Sequence, residues 1–279
     1  MRKLILLVSL LLLVVIPAAA QDETFSLTIL HTNDTHSWHE PGTNGDGGVA
    51  RLATVVNQVR DQVDNVLLLD GGDRFTGTLF HVQYRGQDQV QVMNAVGYDA
   101  MTLGNHEFDD GEEVLYNFVS QLDFPAVSAN ITDWGSYTEL DELINAFAVL
   151  DVNGQQIGII GLVTPETPEL TRASDELVFS DDLVGVTQLA VDELTAMGVN
   201  KIILVTHIGL ELDRAVAAGV TGVDVIVGGH SHTLLGNAYQ AAVEGYPVVV
   251  ENPAGENVYI VQAGSNNTCL LYTSDAADE

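Results

Sequence analysis

Residues 27–36 read Leu-Thr-Ile-Leu-His-Thr-Asn-Asp-Thr-His. The run from Leu27 to His31 is short and mostly apolar, the pattern of a strand within a buried sheet rather than of a helix. It ends in Asn33-Asp34-Thr35-His36. Asp34 and His36 stand two apart on the turn that leaves the strand, so both side chains can face one ion.

The same arrangement recurs along the chain. Asn65 to Leu69 runs into Asp70-Gly71-Gly72-Asp73, and Ala100 to Leu103 into Gly104-Asn105-His106-Glu107-Phe108-Asp109. Ile202 to Thr206 ends in Thr206-His207, and Val223 to Val227 in Gly228-Gly229-His230-Ser231-His232. These motifs hold five of the eight histidines. In open α/β sheets the carboxyl ends of the strands form the ligand crevice, so the five motifs are expected to converge on one site.

Further strands are expected at Ala126 to Ala129, Ala146 to Val152, Gln156 to Val163, Pro247 to Val250 and Val258 to Gln262. Helical periodicity marks Gly48 to Val63, Asp88 to Val96, Asp110 to Leu122, Leu183 to Met197 and Glu211 to Ala218. Strands alternating with helices imply an α/β fold with buried, mostly parallel sheet and helices outside. Asn153-Gly154 between two apolar runs adds one antiparallel hairpin. Residues 21–268 read as one domain.

The 279 residues carry 39 Asp and Glu against 9 Lys and Arg, a formal net charge of -30, with a single cysteine. So acidic a chain repels polyanions, which argues against a nucleic acid polymer or an anionic membrane as partner. A small anion can still bind where metal cations invert the local field. One cysteine excludes an internal disulfide, thiolate zinc clusters and iron–sulfur ligation. Carboxylate, imidazole and amide ligands together suit Zn, Mn, Fe or Co rather than calcium. Seven candidate ligands exceed what one tetrahedral ion takes, so two divalent transition-metal ions sharing a carboxylate are expected.

The order Asp-x-His, Gly-Asp-x-x-x-Gly (Gly72 to Gly77), Gly-Asn-His-Glu-Phe-Asp, Thr-His and Gly-Gly-His-Ser-His resembles the metallophosphoesterases. The stretches 27–36 and 47–52 (GGVARL) resemble the catalytic domain of the bacterial 5'-nucleotidase and UDP-sugar hydrolase family. The resemblance implies a calcineurin-like, four-layer α-β-β-α sandwich of mixed sheets. It also implies that Asp34, His36 and His232 hold a first metal, that Asp73 bridges, and that Asn105, His207 and His230 hold a second. His106 and Asp109 correspond to the catalytic dyad, and Asn105 and His106 are the expected phosphate contacts. The implied activity is metal-assisted hydrolysis of a nucleotide or related small phosphoester. Alternatives within the superfamily are a cyclic-nucleotide phosphodiesterase, a UDP-sugar hydrolase or a thiosulfohydrolase, and outside it a non-catalytic surface module.

Among the remaining residues, Arg74, beside Asp73, is read as a surface arginine paired with one of the many carboxylates, the alternative being a contact to phosphate. His31 is read as a core or supporting residue, and Phe75 and Phe108 as packing beneath the metal loops. His39 and His81 are given no role.

The two ends read differently from the middle. Arg2 and Lys3, the apolar run Leu4 to Ile16 and Pro17-Ala18-Ala19-Ala20 form a signal peptide over residues 1–20. The run is too short to span a bilayer, so no membrane association is expected after cleavage, and the protein is placed in a bacterial periplasm or outside the cell. Residues 269–279 carry no strand or helix pattern and resemble a translated transposon-based sequencing adaptor. The C-terminal nucleotide-binding domain of the family has no counterpart in this sequence.

Overall fold

The computed structural model describes residues 25–237 and 240–267, together with the backbone of 271–277. The expected signal peptide lies outside the described residues. Five strands form one sheet: β1 (Phe25–Thr32), β2 (Val66–Asp70), β3 (Ala100–Thr102), β4 (Ala126–Val127) and, at the far edge, β13 (Leu271–Ala277). β1 to β4 are parallel in the order β1-β2-β3-β4, and β13 pairs antiparallel with β1. The short strands β5 (Ile131–Asp133) and β8 (Val178–Phe179) make a separate antiparallel pair. The second large sheet contains β6 (Phe147–Val152), β7 (Gln155–Val163), β9 (Ile202–His207), β10 (Val225–Val227), β11 (Val248–Glu251) and β12 (Asn257–Val261). Its order is β11-β12-β10-β9-β7-β6, parallel through the centre with an antiparallel hairpin at each edge.

Period-2 alternation sorts the apolar residues of these strands into two faces. Leu27, Ile29, Leu67 and Leu69 meet Ile157, Ile159, Ile203, Val205, Val225 and Val227 between the sheets. Their neighbours point outward. Leu30 and Leu68 lie under helices α1 (Val49–Arg60), α3 (Gln87–Val96) and α4 (Glu112–Val119). Ile160, Leu204 and Ile226 lie under α7 (Leu183–Ala196) and α8 (Leu210–Gly219). With both faces of each sheet covered, the layers run α-β-β-α, as expected.

Local chemistry explains the element ends. On α7 the buried positions Leu183, Thr187, Ala190, Val191 and Leu194 repeat at helical spacing, and Asp182 caps the helix by accepting from the Gly185 N–H at 2.9 Å. Asn153 and Gly154 have φ of 51° and 87°, the left-handed pair that a two-residue hairpin requires, and they join β6 to β7.

Three short helices escaped the periodicity: α2 (Leu79–Tyr84), α5 (Thr138–Leu143) and α6 (Thr167–Leu170). At four to six residues they are too short to show one. Strand β13 is a further difference, because no element was expected in residues 269–279. Without it β1 would present a free edge, and an unpaired row of backbone N–H and C=O groups accepts an extended chain whatever its side-chain pattern.

Candidate metal centre

All five motifs leave the carboxyl ends of parallel strands and meet at one edge of the two sheets. The loops after β1, β2 and β3 carry Asp34 and His36, Asp73, and Asn105. His207 is the last residue of β9, and the loop after β10 carries His230 and His232. Close approach of these loops needs glycine. A Cβ on Gly72, whose φ is 84°, would fall 2.5 Å from the Gly104 nitrogen, and one on Gly104 would fall 2.2 Å from Asp73 Oδ1. Five of the seven expected ligands also have left-handed backbones: Asp34 (φ 49°), His36 (47°), Asp73 (58°), His230 (73°) and His232 (52°). Non-glycine residues rarely adopt this region, at a cost of roughly 1–3 kcal/mol each, and such strain clusters at functional sites.

Asp73 sits at the centre and is almost wholly buried. Its Oδ1 accepts the His106 backbone N–H at 2.9 Å. Its Oδ2 lies 3.0 Å from His207 Nε2, 3.8 Å from His36 Nε2 and 4.0 Å from His106 Nε2. Asp34 receives the His230 backbone N–H, while its Oδ1 lies 3.2 Å from His232 Nε2 and 3.8 Å from His207 Nε2. Three overlapping groups of ligand atoms fall within 4.8 Å: Asp34, His36 and His232; His36, Asp73 and His106; and Asp34, Asp73 and His207. Asn105 and His230 stand outside those groups but touch each other, Oδ1 to Nδ1 at 3.1 Å, and the His230 ring lies 5.1 Å from that of His207. The structure therefore brings all seven expected ligands together.

The donor set fits a metal. His207 Nδ1 donates to the Gly71 carbonyl at 2.6 Å, which turns Nε2 toward Asp73 and Asp34. That Nε2 is buried yet makes no hydrogen bond. His36 is oriented likewise by the Phe75 carbonyl at 3.2 Å, and its Nε2 faces His232 Nε2 at 3.1 Å, a spacing that either one shared proton or a cation bound by both nitrogens satisfies. Charge balance gives the same result. Burial works against a charged His207, but the Asp73 and Asp34 carboxylates raise it to about 10. Burial also works against ionised Asp73, yet His207, His106 and His36 hold its carboxyl well below the usual range. Imidazoles that take up protons to neutralise two buried carboxylates exchange those protons for metal charge.

Beside this centre, His106 Nδ1 donates to Asp109 Oδ2 at 2.7 Å, and Thr76 Oγ1 donates to the same oxygen. The hydrogen bond to Asp109, opposed by partial burial and aided by Asp73, raises His106 to about 9. Its Nε2 edge is left facing Asp73, with a third of the side chain exposed.

Glu107 had no role in the sequence reading. It is wholly buried and accepts four backbone N–H groups, those of Asp73 (2.9 Å), Arg74 (2.7 Å), Phe75 (3.2 Å) and Gly104 (2.6 Å). One carboxylate thus joins the β2 and β3 loops, and nothing in a single sequence marks it apart from its neighbours in the motif.

Arg74 corrects an expectation. It is paired with a carboxylate, Asp70 at 3.0 Å, but it is fully buried rather than on the surface, with its guanidinium over the Tyr98 ring. His31 is buried against Tyr246, and Phe75 and Phe108 are buried beneath the loops, as expected.

Residues 27–234 match the calcineurin-like phosphoesterase family. The chain is 42% identical to the 5'-nucleotidases of Bos taurus, over 91% of this chain and 47% of that protein, and of Homo sapiens, over 94% and 48%. It superposes on the 5'-nucleotidase precursor of Thermus thermophilus with a TM-score of 0.83 at 40% identity, covering 90% of this chain and 54% of that one. For the NAD nucleotidase of Haemophilus influenzae the TM-score is 0.84 at 33% identity, covering 90% and 53%. The chain spans about half the length of the curated relatives it matches. A buried carboxylate from one strand end lies among imidazoles from four others, and the chain belongs to the calcineurin-like phosphoesterase family.

Proposed function

We propose that the chain is the catalytic part of an exported phosphohydrolase that removes phosphate from nucleotides with two divalent transition-metal ions. The placement of Asp73 carries this reading, because one buried carboxylate lies between ligands from both sheets. Asp34, His36 and His232 would hold one ion, Asn105, His207 and His230 the other, and Asp73 would bridge. When bound, the ions supply Lewis acidity, acidifying the attacking water and offsetting charge on the phosphoryl oxygens. The likeness to 5'-nucleotidases supports nucleotides as the substrate class, and the basic and apolar leader of residues 1–20 supports export.

The chain's own residues supply orientation and a proton. Asp109 accepts from the His106 Nδ1–H and favours the imidazolium, so Nε2 carries a second proton and faces the centre. From there it donates to a phosphoryl oxygen or to the leaving oxygen. Thr76 holds Asp109 from the other side. Asn105 brings an amide beside the same point.

Activity on p-nitrophenyl phosphate, AMP and bis-p-nitrophenyl phosphate, with and without EDTA, tests the reading. Hydrolysis of the first two, lost in EDTA and restored by a divalent transition metal, is expected. Full activity in EDTA, or a preference for the diester, overturns it. His106→Ala is expected to lower kcat by roughly 10²–10⁴-fold while elemental analysis finds the metal content unchanged. Parallel loss of metal would instead make His106 a ligand.

A further inference from the structure

A cavity of about 490 Å³ opens on the outer side of the dyad, lined by Thr76, His81, Arg85, Asp109, Asp110 and Arg172 among others. It shares Thr76 and Asp109 with the machinery that orients His106, so its inner end adjoins the position proposed for the leaving group. Its two guanidinium groups are unusual in this chain. There are only nine Lys and Arg residues, and Arg2 and Lys3 lie outside the described residues. Arg74 is buried on Asp70, and Arg60 is held by the Val96 and Gly97 carbonyls. Arg51 is held by the Gly45 and Gly47 carbonyls, Arg214 pairs with Glu244, and Lys201 bonds to Gln155 and Asn200.

Arg85 and Arg172 differ from all of these. Arg172 is exposed and has no ion pair or hydrogen bond among the described residues. Arg85, with 62% of its side chain exposed, only approaches Asp110, at 4.0 Å. The acids of the cavity are committed elsewhere: Asp109 to His106 and Thr76, and Asp110 to His81 at 3.1 Å. Arg85 also caps α2 with a left-handed backbone, φ 47°, where glycine or asparagine would be unstrained.

We infer that this cavity is an anion subsite in which Arg85 and Arg172 bind a phosphate of the substrate other than the scissile one. The inference rests on the proposed phosphohydrolase activity and adds a specificity device to it. When a nucleoside diphosphate is cleaved, water adds to the terminal phosphorus, the bridging P–O bond breaks, and its electron pair leaves with the nucleoside monophosphate. That leaving group carries charge that a nucleoside leaving from a monophosphate lacks. In a chain of net charge -30, two solvent-exposed guanidiniums beside the dyad, one of them only loosely paired, are placed to receive it, and Arg binds phosphate through paired N–H donors.

The test compares ADP with AMP, which hold the nucleoside constant, in the 279-residue chain and in Arg85→Gln, Arg172→Gln and the double variant. Each substitution is expected to lower the ratio of kcat/KM for ADP to that for AMP by about tenfold or more, the value of a charged hydrogen bond. Equal losses for both nucleotides, or no change in the ratio, overturn the inference. Calorimetric titration in the His106→Ala background gives a second reading that needs no turnover. ADP is expected to bind at least about tenfold tighter than AMP, and the double variant to close the gap. A chain that hydrolyses no phosphoester refutes the activity, while the titration still decides the subsite: equal ADP and AMP affinities, or a gap that survives the double substitution, refute it.

Discussion

Asp73→Asn is expected to remove bound metal and activity together. The carboxylate lies within 4.0 Å of three imidazoles, those of His36, His106 and His207. Losing an outer partner of a metal ligand already costs roughly 10–100-fold in affinity. In the proposed arrangement Asp73 is the shared, charged ligand, so its loss would weaken both positions and the fall in metal affinity is expected to exceed that range. The amide also leaves Asp34, at 3.8 Å, as the one carboxylate within 4.0 Å of His207 among the described residues, so the fully buried imidazole is driven toward its neutral form. Elemental analysis after dialysis, together with turnover of p-nitrophenyl phosphate, checks this. A variant that keeps two equivalents of metal removes Asp73 from the bridging position. The side chain occupies a site whose shape is set by Gly72 and Gly104, and Asn has nearly the volume of Asp, so the far-UV and near-UV spectra of the variant are expected to match the parent.

The course of the chain was legible because the buried strands leave little choice. Leu27, Ile29 and Leu30, or Ile157, Ile159 and Ile160, can all be apolar only if both faces of the sheet are covered, and that requirement alone leads to helices on the outside. The candidate ligand residues could be singled out because each lies within five residues of a strand's carboxyl end. What one sequence cannot carry is the meeting of distant loops. Arg74 has the same neighbours in sequence whether its guanidinium reaches solvent or turns inward to Asp70 and Tyr98, and only the tertiary course of the β2 loop decides between them. The helices α2, α5 and α6 span two turns or less, below the length at which periodicity can be read. β13 is held by backbone pairing, which leaves no signature in side-chain order.

Glu107 shows most sharply what tertiary structure adds, and Glu107→Ala is expected to destabilise the fold more than any single ligand substitution. Five of the candidate ligands hold strained left-handed backbones, whereas Glu107, itself fully buried, satisfies four backbone donors from two loops. Burial, followed by the charge of Asp73, pushes its carboxyl up to about 7, and the backbone donors act in the opposite direction. Each buried donor left without a partner costs about 1–3 kcal/mol. Even with two of the four recovered by water entering the space, the loss is expected to be about 2–6 kcal/mol, a large share of the roughly 5–15 kcal/mol that holds a domain together. Glu107→Gln keeps the volume and one acceptor oxygen but turns an NH₂ group toward one pair of N–H donors, either Asp73 and Gly104 or Arg74 and Phe75. An intermediate loss is expected. Urea unfolding of the metal-free chain measures both, since metal would otherwise add its own binding energy to the native state. A loss below about 1 kcal/mol for Glu107→Ala would mean that the loops hold their left-handed turns without the carboxylate. The glycine contacts between Gly72 and Gly104 would then be what fixes Asp73 in place.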